Sequence, residues 1–194
     1  SFLEQSPDGW ISLLPGPDLK GWTRVTIPPS NALGRMQWHL DPARGVLVCD
    51  GDGGHEMLRF DREFTNCVFH VEFRFTPVTK GKRGYNSGVF IRNSANGEIW
   101  YQAQLGRDGG YWFGEGPANG KVARFKLPPL EKKMEPAGEW NTIEVTARGK
   151  SLTAWLNGAT TSTYEDCEQP SGYIAVEAEG YRIEFRNLKV KEMK

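Results

Sequence analysis

The strictest constraint on this chain is a two-residue hydrophobic period that returns from one end to the other. In Val71-Glu72-Phe73-Arg74-Phe75 the apolar residues fall on every second position, and Val89 and Ile91 repeat the pattern in Asn86-Ser87-Gly88-Val89-Phe90-Ile91-Arg92. Successive side chains of a strand point to opposite faces, so Val71, Phe73 and Phe75 share one face and Glu72 and Arg74 the other. Glu139 to Ala147 and Ser151 to Leu156 alternate in the same way around Arg148-Gly149-Lys150, which predicts a hairpin. Gly172 to Glu179 puts Ile174, Val176 and Ala178 on one face and Tyr173, Glu177 and Glu179 on the other. The only helical candidate, Leu130 to Met134, is too short to form a layer. The expectation is an all-β sandwich, one domain over residues 1–194.

The connections carry their own signals. Thr76 to Tyr85 holds Lys80, Lys82 and Arg83 around Gly81 and Gly84 and reads as a solvated hairpin loop between two adjacent strands. Gly106 to Leu127, with Tyr111, Trp112 and Phe113 among glycines, reads as a long functional loop with one or two short strands. Asp50-Gly51-Asp52-Gly53-Gly54-His55 opens like a calcium loop. His55 then occupies the sixth position, where the turn requires glycine, and Asp61 the twelfth, so an EF-hand is excluded. The stretch is expected at the rim of a binding face, with His55 an ordinary loop histidine.

Charge and composition narrow the partners. With 24 basic and 24 acidic residues the net charge is +0, which argues against nucleic acid and acidic membrane surfaces. No apolar run is long enough to insert into a membrane. Cys49, Cys67 and Cys167 include no CxxC pair and allow at most one internal disulfide. The opening SFLEQSPDGW has neither a signal peptide's basic and apolar regions nor an initiator Met, so an export segment would lie outside this sequence.

Two groups of residues point to chemistry. Trp100, Gln102 and Gln104 share one strand face, and amides that both donate and accept suit sugar hydroxyls as well as plain solvent. Glu177 and Glu179, two apart on a strand, have Cα atoms ~6.6 Å apart. Like charges that close raise one pKa, which sets an acid beside a base. A conventional glycosidase needs its two carboxyl groups on opposite sides of the scissile bond, an arrangement that neighbours on one strand serve poorly. Against any catalytic reading stands a salt-bridge network, in which Glu72, Arg74, Arg92, Glu177, Glu179 and Arg186 neutralise one another across strands.

The order and spacing of several short motifs make the chain resemble the 3-keto-disaccharide hydrolase domain family. These are Gly9-Trp10-Ile11-Ser12-Leu13-Leu14 with Gly21-Trp22, then Glu72-Phe73-Arg74-Phe75 and Asn86-Ser87-Gly88-Val89-Phe90-Ile91-Arg92. They continue as Gly138-Glu139-Trp140-Asn141, Leu156-Asn157-Gly158, Gly172-Tyr173-Ile174 and Phe185-Arg186-Asn187-Leu188. The resemblance implies a concanavalin A-like jelly-roll sandwich of two antiparallel sheets, in a bacterial protein that is periplasmic or secreted and acts on or binds carbohydrate. Where the family usually reads Glu-x-Gln this chain has Gln102-Ala103-Gln104, and where it usually reads Gln-x-His-Gly this chain has Glu177-Ala178-Glu179-Gly180. Either the acid and base groups have moved within the pocket, or the family reaction is lost. The Glu-x-Asp-x-x-Glu strand of sandwich glucanases is also missing.

For a sugar oxidised at C3, the resemblance implies elimination of the C1 substituent after loss of the C2 proton. The expected catalytic residues are Glu177 or Glu179 as base, with Glu72 and Arg186 as an electrostatic frame. Asn86, Arg92, Gln102, Gln104, Arg186 and Trp100 are expected to bind substrate. No metal site is assigned, although a divalent cation on Glu177, Glu179 or His55 fits the donor types. The alternative is a lectin-like carbohydrate-binding module without catalysis.

Overall fold

The computed structural model describes residues 1–194 in full. A single helical turn, α1 (Phe2–Gln5), precedes β1 (Ile11–Ser12), β2 (Trp22–Thr26), β3 (Trp38–Asp41), β4 (Val46–Cys49), β5 (Glu56–Phe64), β6 (Cys67–Phe75) and β7 (Asn86–Asn93). Then follow β8 (Trp100–Gly106), β9 (Trp112–Ala118), β10 (Lys121–Lys126), β11 (Asn141–Arg148), β12 (Ser151–Leu156), β13 (Ala159–Tyr164), β14 (Gly172–Ala178) and β15 (Ile183–Glu192). One sheet runs β13-β12-β11-β6-β15-β4-β3, with β1 also on β15, and the other runs β10-β9-β8-β7-β14-β5-β2. Neighbouring strands are antiparallel throughout, as in the β6–β15 and β7–β8 pairs.

The alternation read from sequence sorts the two faces. Val71, Phe73 and Phe75 of β6, Val89 and Ile91 of β7, Ile143 and Val145 of β11, and Ile174 and Val176 of β14 all enter one core of 34 buried residues between the sheets. The inner faces of both sheets thus meet in that core.

Three expectations change. The strands flanking Thr76 to Tyr85 are not hairpin partners, because β6 lies in one sheet and β7 in the other. The cationic segment is a crossover between sheets. Gly106 to Leu127 is more regular than a loop, since β9 and β10 pair over six residue positions around Asn119-Gly120. Leu130 to Met134 forms no helix, and the only helical turn is α1. Cys49, Cys67 and Cys167 are all free and buried, and burial pushes the Cys49 and Cys67 thiols up to about 12.

The crossover separates residues that the sequence had grouped. Glu72 and Arg186 lie on the outward face of the β6–β15 sheet, where Arg186 Nε and Asn187 Nδ2 each donate to Glu72 at 2.6 Å. Arg74 pairs with Glu184 at 2.7 Å, and the indole of Trp140 lies under both guanidinium groups. Burial works to raise the Glu72 pKa, but the bonds from Asn187 and Arg186 outweigh it and hold the carboxyl below its usual range. The salt-bridge reading therefore holds for Glu72, Arg74 and Arg186.

Arg92 is also displaced from its expected role. A register shift between β7 and β14 and a φ of 56° take it out of the alternation. Its side chain, 1% exposed, donates to the carbonyls of Gly149 at 2.6 Å, Gln169 at 2.9 Å and Thr65 at 3.3 Å, and to Asn66 Oδ1 at 3.2 Å. Gly172 lets β14 pack against the irregular β7 backbone here, because a Cβ there would sit 2.4 Å from the Arg92 carbonyl carbon. Arg92 ties together the ends of three loops. Arg92→Met should orphan those acceptors and lower stability by roughly 3 kcal/mol, read by thermal unfolding.

Candidate functional site

The second sheet turns its other face to a cavity of about 610 Å³, within the ~300–1,000 Å³ typical of small-molecule sites. Its floor is a small apolar cluster of Met57, Phe90 and Ala175, against which Trp100 packs. Around this floor stand Glu177, Glu179, His55, Asn86, Gln102 and Gln104, with Tyr111, Phe113 and Arg124 at one side. Of the expected site residues, Glu177, Glu179, Asn86, Gln102, Gln104 and Trp100 converge here. Glu72 and Arg186 lie on the opposite sheet, and Arg92 is spent on loop carbonyls.

Glu177 is the centre of a polar chain. It is 2% exposed, its Oε1 lies 2.7 Å from His55 Nε2, and its Oε2 accepts from Gln102 Nε2 at 2.8 Å. Gln102 Nε2 also donates to Gln104 Oε1 at 3.1 Å, and Gln104 Nε2 donates in turn to Asn86 Oδ1. Each residue of Asn86-Ser87-Gly88 has one task in this chain. Asn86 accepts from Gln104, and Ser87 Oγ donates to the Glu177 backbone carbonyl at 2.7 Å. Gly88 leaves space, since a Cβ there would lie 2.3 Å from Gln102 Nε2 and drive the amide off Glu177.

His55 comes from a loop that the sequence placed at the rim. Gln37, wholly buried, fixes that loop by accepting from Gly53 N at 3.1 Å and donating to the Gly54 carbonyl at 2.9 Å. His55 is brought to Glu177 across 122 positions of chain, and Glu179 Oε2 lies 3.8 Å from the same nitrogen. No local spacing could have announced that contact.

Electrostatics separate the two carboxyl groups. Burial pushes Glu177 up to about 7; the hydrogen bond from His55 works against that rise and the charge of Glu179 adds to it. Desolvation acts to lower His55, yet the hydrogen bond to Glu177 and the charges of both glutamates raise it overall. Glu177 has both oxygens engaged and almost no exposure, whereas the Glu179 side chain is 35% exposed. The exposed carboxylate can meet a substrate, while the buried one holds the imidazole.

The three side chains also pass a test as a metal site. One ligand atom from each of His55, Glu177 and Glu179 lies within 4.8 Å of the others, and one nitrogen with two carboxylate oxygens is a donor set for a divalent cation.

The sequence reading did not single out Thr26 or Arg124, and it named Tyr111 and Phe113 only as part of a loop. Alternation was the available signal at β9, because Trp112 is wholly buried and Phe113 faces the cavity.

No curated protein matches the sequence. Among solved structures, a candidate glycosyl hydrolase from Parabacteroides distasonis superposes with a TM-score of 0.66 at 17% identity, covering 95% of this chain and 99% of the other. The carbohydrate-binding module CBM66 from Bacillus subtilis gives 0.62 at 15% identity, covering 89% and 96%. A β-glucanase from Bacillus licheniformis gives 0.58 at 12% identity, covering 90% and 94%. These likenesses establish the concanavalin A-like jelly-roll fold. The family model described as the 3-keto-alpha-glucoside-1,2-lyase-like domain matches residues 9–191. That match covers nearly the whole sandwich, and the chain belongs to the family of 3-keto-α-glucoside-1,2-lyase-like domains.

Proposed function

We propose that the cavity eliminates the C1 substituent of 3-keto-glycosides. The observation that carries this reading is the trio of His55, buried Glu177 and accessible Glu179 in one sugar-sized cavity. A C3 ketone acidifies the C2 hydrogen, so a carboxylate is a strong enough base. Glu179 takes the C2 proton, and the electrons of that C–H bond form the C1=C2 double bond. The C1–O bond breaks, and its electron pair leaves with the departing oxygen. His55, held by Glu177 and raised in pKa by the two glutamates, gives that oxygen its proton. Asn86, Gln102 and Gln104 hold the sugar hydroxyls and the C3 oxygen. A divalent cation held by His55, Glu177 and Glu179 would instead supply Lewis-acid polarisation of the ketone, in place of the acid and base roles of His55 and Glu179.

Aglycone release is to be followed from paired glycosides and their 3-keto derivatives, with and without chelator. Release confined to the keto sugars, and reduced at least ~100-fold by Glu179→Gln, is the expected result. Saturable sugar binding without release from either set would sink the lyase reading and leave a lectin-like module. Glu177→Gln should lower the rate less and shift its pH profile, because Glu177 acts through His55. Gly88→Ala should break the Gln102 bond to Glu177, cutting kcat/KM and costing roughly 1–3 kcal/mol of stability in denaturant unfolding.

Stability of the metal-free protein should also fall with pH. Glu177 is raised from 4.5 to about 7, so between those values the folded chain holds a proton that the unfolded chain has released. His55 is raised above 6.5 and extends the trend upward, its contribution being lost as pH passes its folded value. Glu72, Glu144 and Glu184 are lowered, and their contribution is present above 4.5 and lost toward acid. Tm should therefore decline from pH 5 to 8, and Glu177→Gln should flatten that decline.

A further inference from the structure

One side of the cavity is not used by the proposed chemistry. Trp100 and Phe113 meet edge to face, with centroids 5.1 Å apart and planes at 83°, and Tyr111 leans on Phe113 at 5.7 Å and 45°. All three line the cavity, and none belongs to the interior between the sheets. Phe113 lies opposite Gln102 in the β8–β9 register, and Gln102 touches Glu177. Glu177 is on β14 and Phe113 on β9, three strand spacings apart in the order β9-β8-β7-β14, or ~14 Å. That span leaves room for a sugar over the polar residues and a second ring against the aromatic side.

The shape of this side decides what the second ring is. A pyranose stacks on one flat face, and coplanar rings would give it a platform. Trp100 and Phe113 instead form a corner, so a ring placed there meets one face and one edge. That pairing suits the quadrupole of another aromatic ring.

Resting on the elimination reading above, we propose that Trp100, Phe113 and Tyr111 form the leaving-group subsite, and that the substrates are glycosides with an aromatic aglycone. The corner holds the aglycone ring face on one side and edge on the other, while the sugar lies over Met57 and Phe90. Specificity for the leaving group is then set by β8 and β9, and chemistry by β14 and the His55 loop.

Binding tests this without requiring turnover. Unoxidised benzyl, cyclohexylmethyl and methyl glucosides are titrated calorimetrically into the wild-type protein and into Phe113→Ala, Phe113→Leu and Trp100→Ala. The benzyl glucoside should bind about tenfold tighter than the cyclohexylmethyl one, and Phe113→Leu, which keeps apolar bulk, should erase that margin. Equal affinities for benzyl and cyclohexylmethyl, or equal losses for all three ligands in every variant, would overturn the proposal. The 3-keto derivatives of the same glucosides, assayed in parallel, report on the elimination reading separately. Selective benzyl binding with no release would retain the aromatic subsite and reject the lyase.

Discussion

Everything in the cavity depends on keeping one carboxyl group, Glu177, out of water. A carboxylate loses several kcal/mol of hydration on burial unless the protein returns equivalent contacts. Here those contacts come from His55 and Gln102, while Ser87 fixes the backbone of the strand that carries it. The cost falls on the ionised form, which is why Glu177 holds its proton toward neutrality. A neighbouring carboxyl two residues along, set at the edge of the cavity, escapes that cost. β14 and the bend that follows it thus present two chemically unequal acids.

The two outer faces of the sandwich put charge to different uses. On the β6–β15 sheet, the half-exposed Arg74 and Arg186 pair with the more buried Glu184 and Glu72 over Trp140. On the β7–β14 sheet Arg24–Glu56, Arg59–Asp61 and Arg124–Glu115 are also paired, but the central carboxyl, Glu177, lies deeper. Glu177 is joined to His55 and to the Gln102 amide, and no arginine bonds it. A guanidinium there, charged at every accessible pH, would have held Glu177 ionised and removed the difference between the two glutamates.

Much of this was legible in the chain, because side-chain alternation is a local property. Val71, Phe73, Phe75, Ile174 and Val176 declared the core face, and Trp100, Gln102 and Gln104 declared the cavity face. What alternation cannot carry is the sheet to which a strand belongs. Glu72 and Asn86 lie close in sequence, yet the crossover places them on opposite outer faces of the molecule. Arg92 followed the period on paper and broke it in space through a left-handed backbone and a register shift. His55 looked ordinary because its partner lies on the last strand but one.

The bond that passes over Gly88 has a consequence for how such sites diverge. Relatives in the resemblance carry a carboxylate where this chain has Gln102 and an amide where it has Glu177. Those two side chains touch, so exchanging them moves one negative charge by the length of one hydrogen bond. The imidazole shows a parallel relocation, for His55 reaches within 3.8 Å of Glu179, which stands where relatives place histidine. The inventory of acid, amide and imidazole thus belongs to the row of facing strands rather than to any single position. Substitutions in this family read one column at a time will look like a lost charge when the charge has only crossed β7 to the side chain it touches.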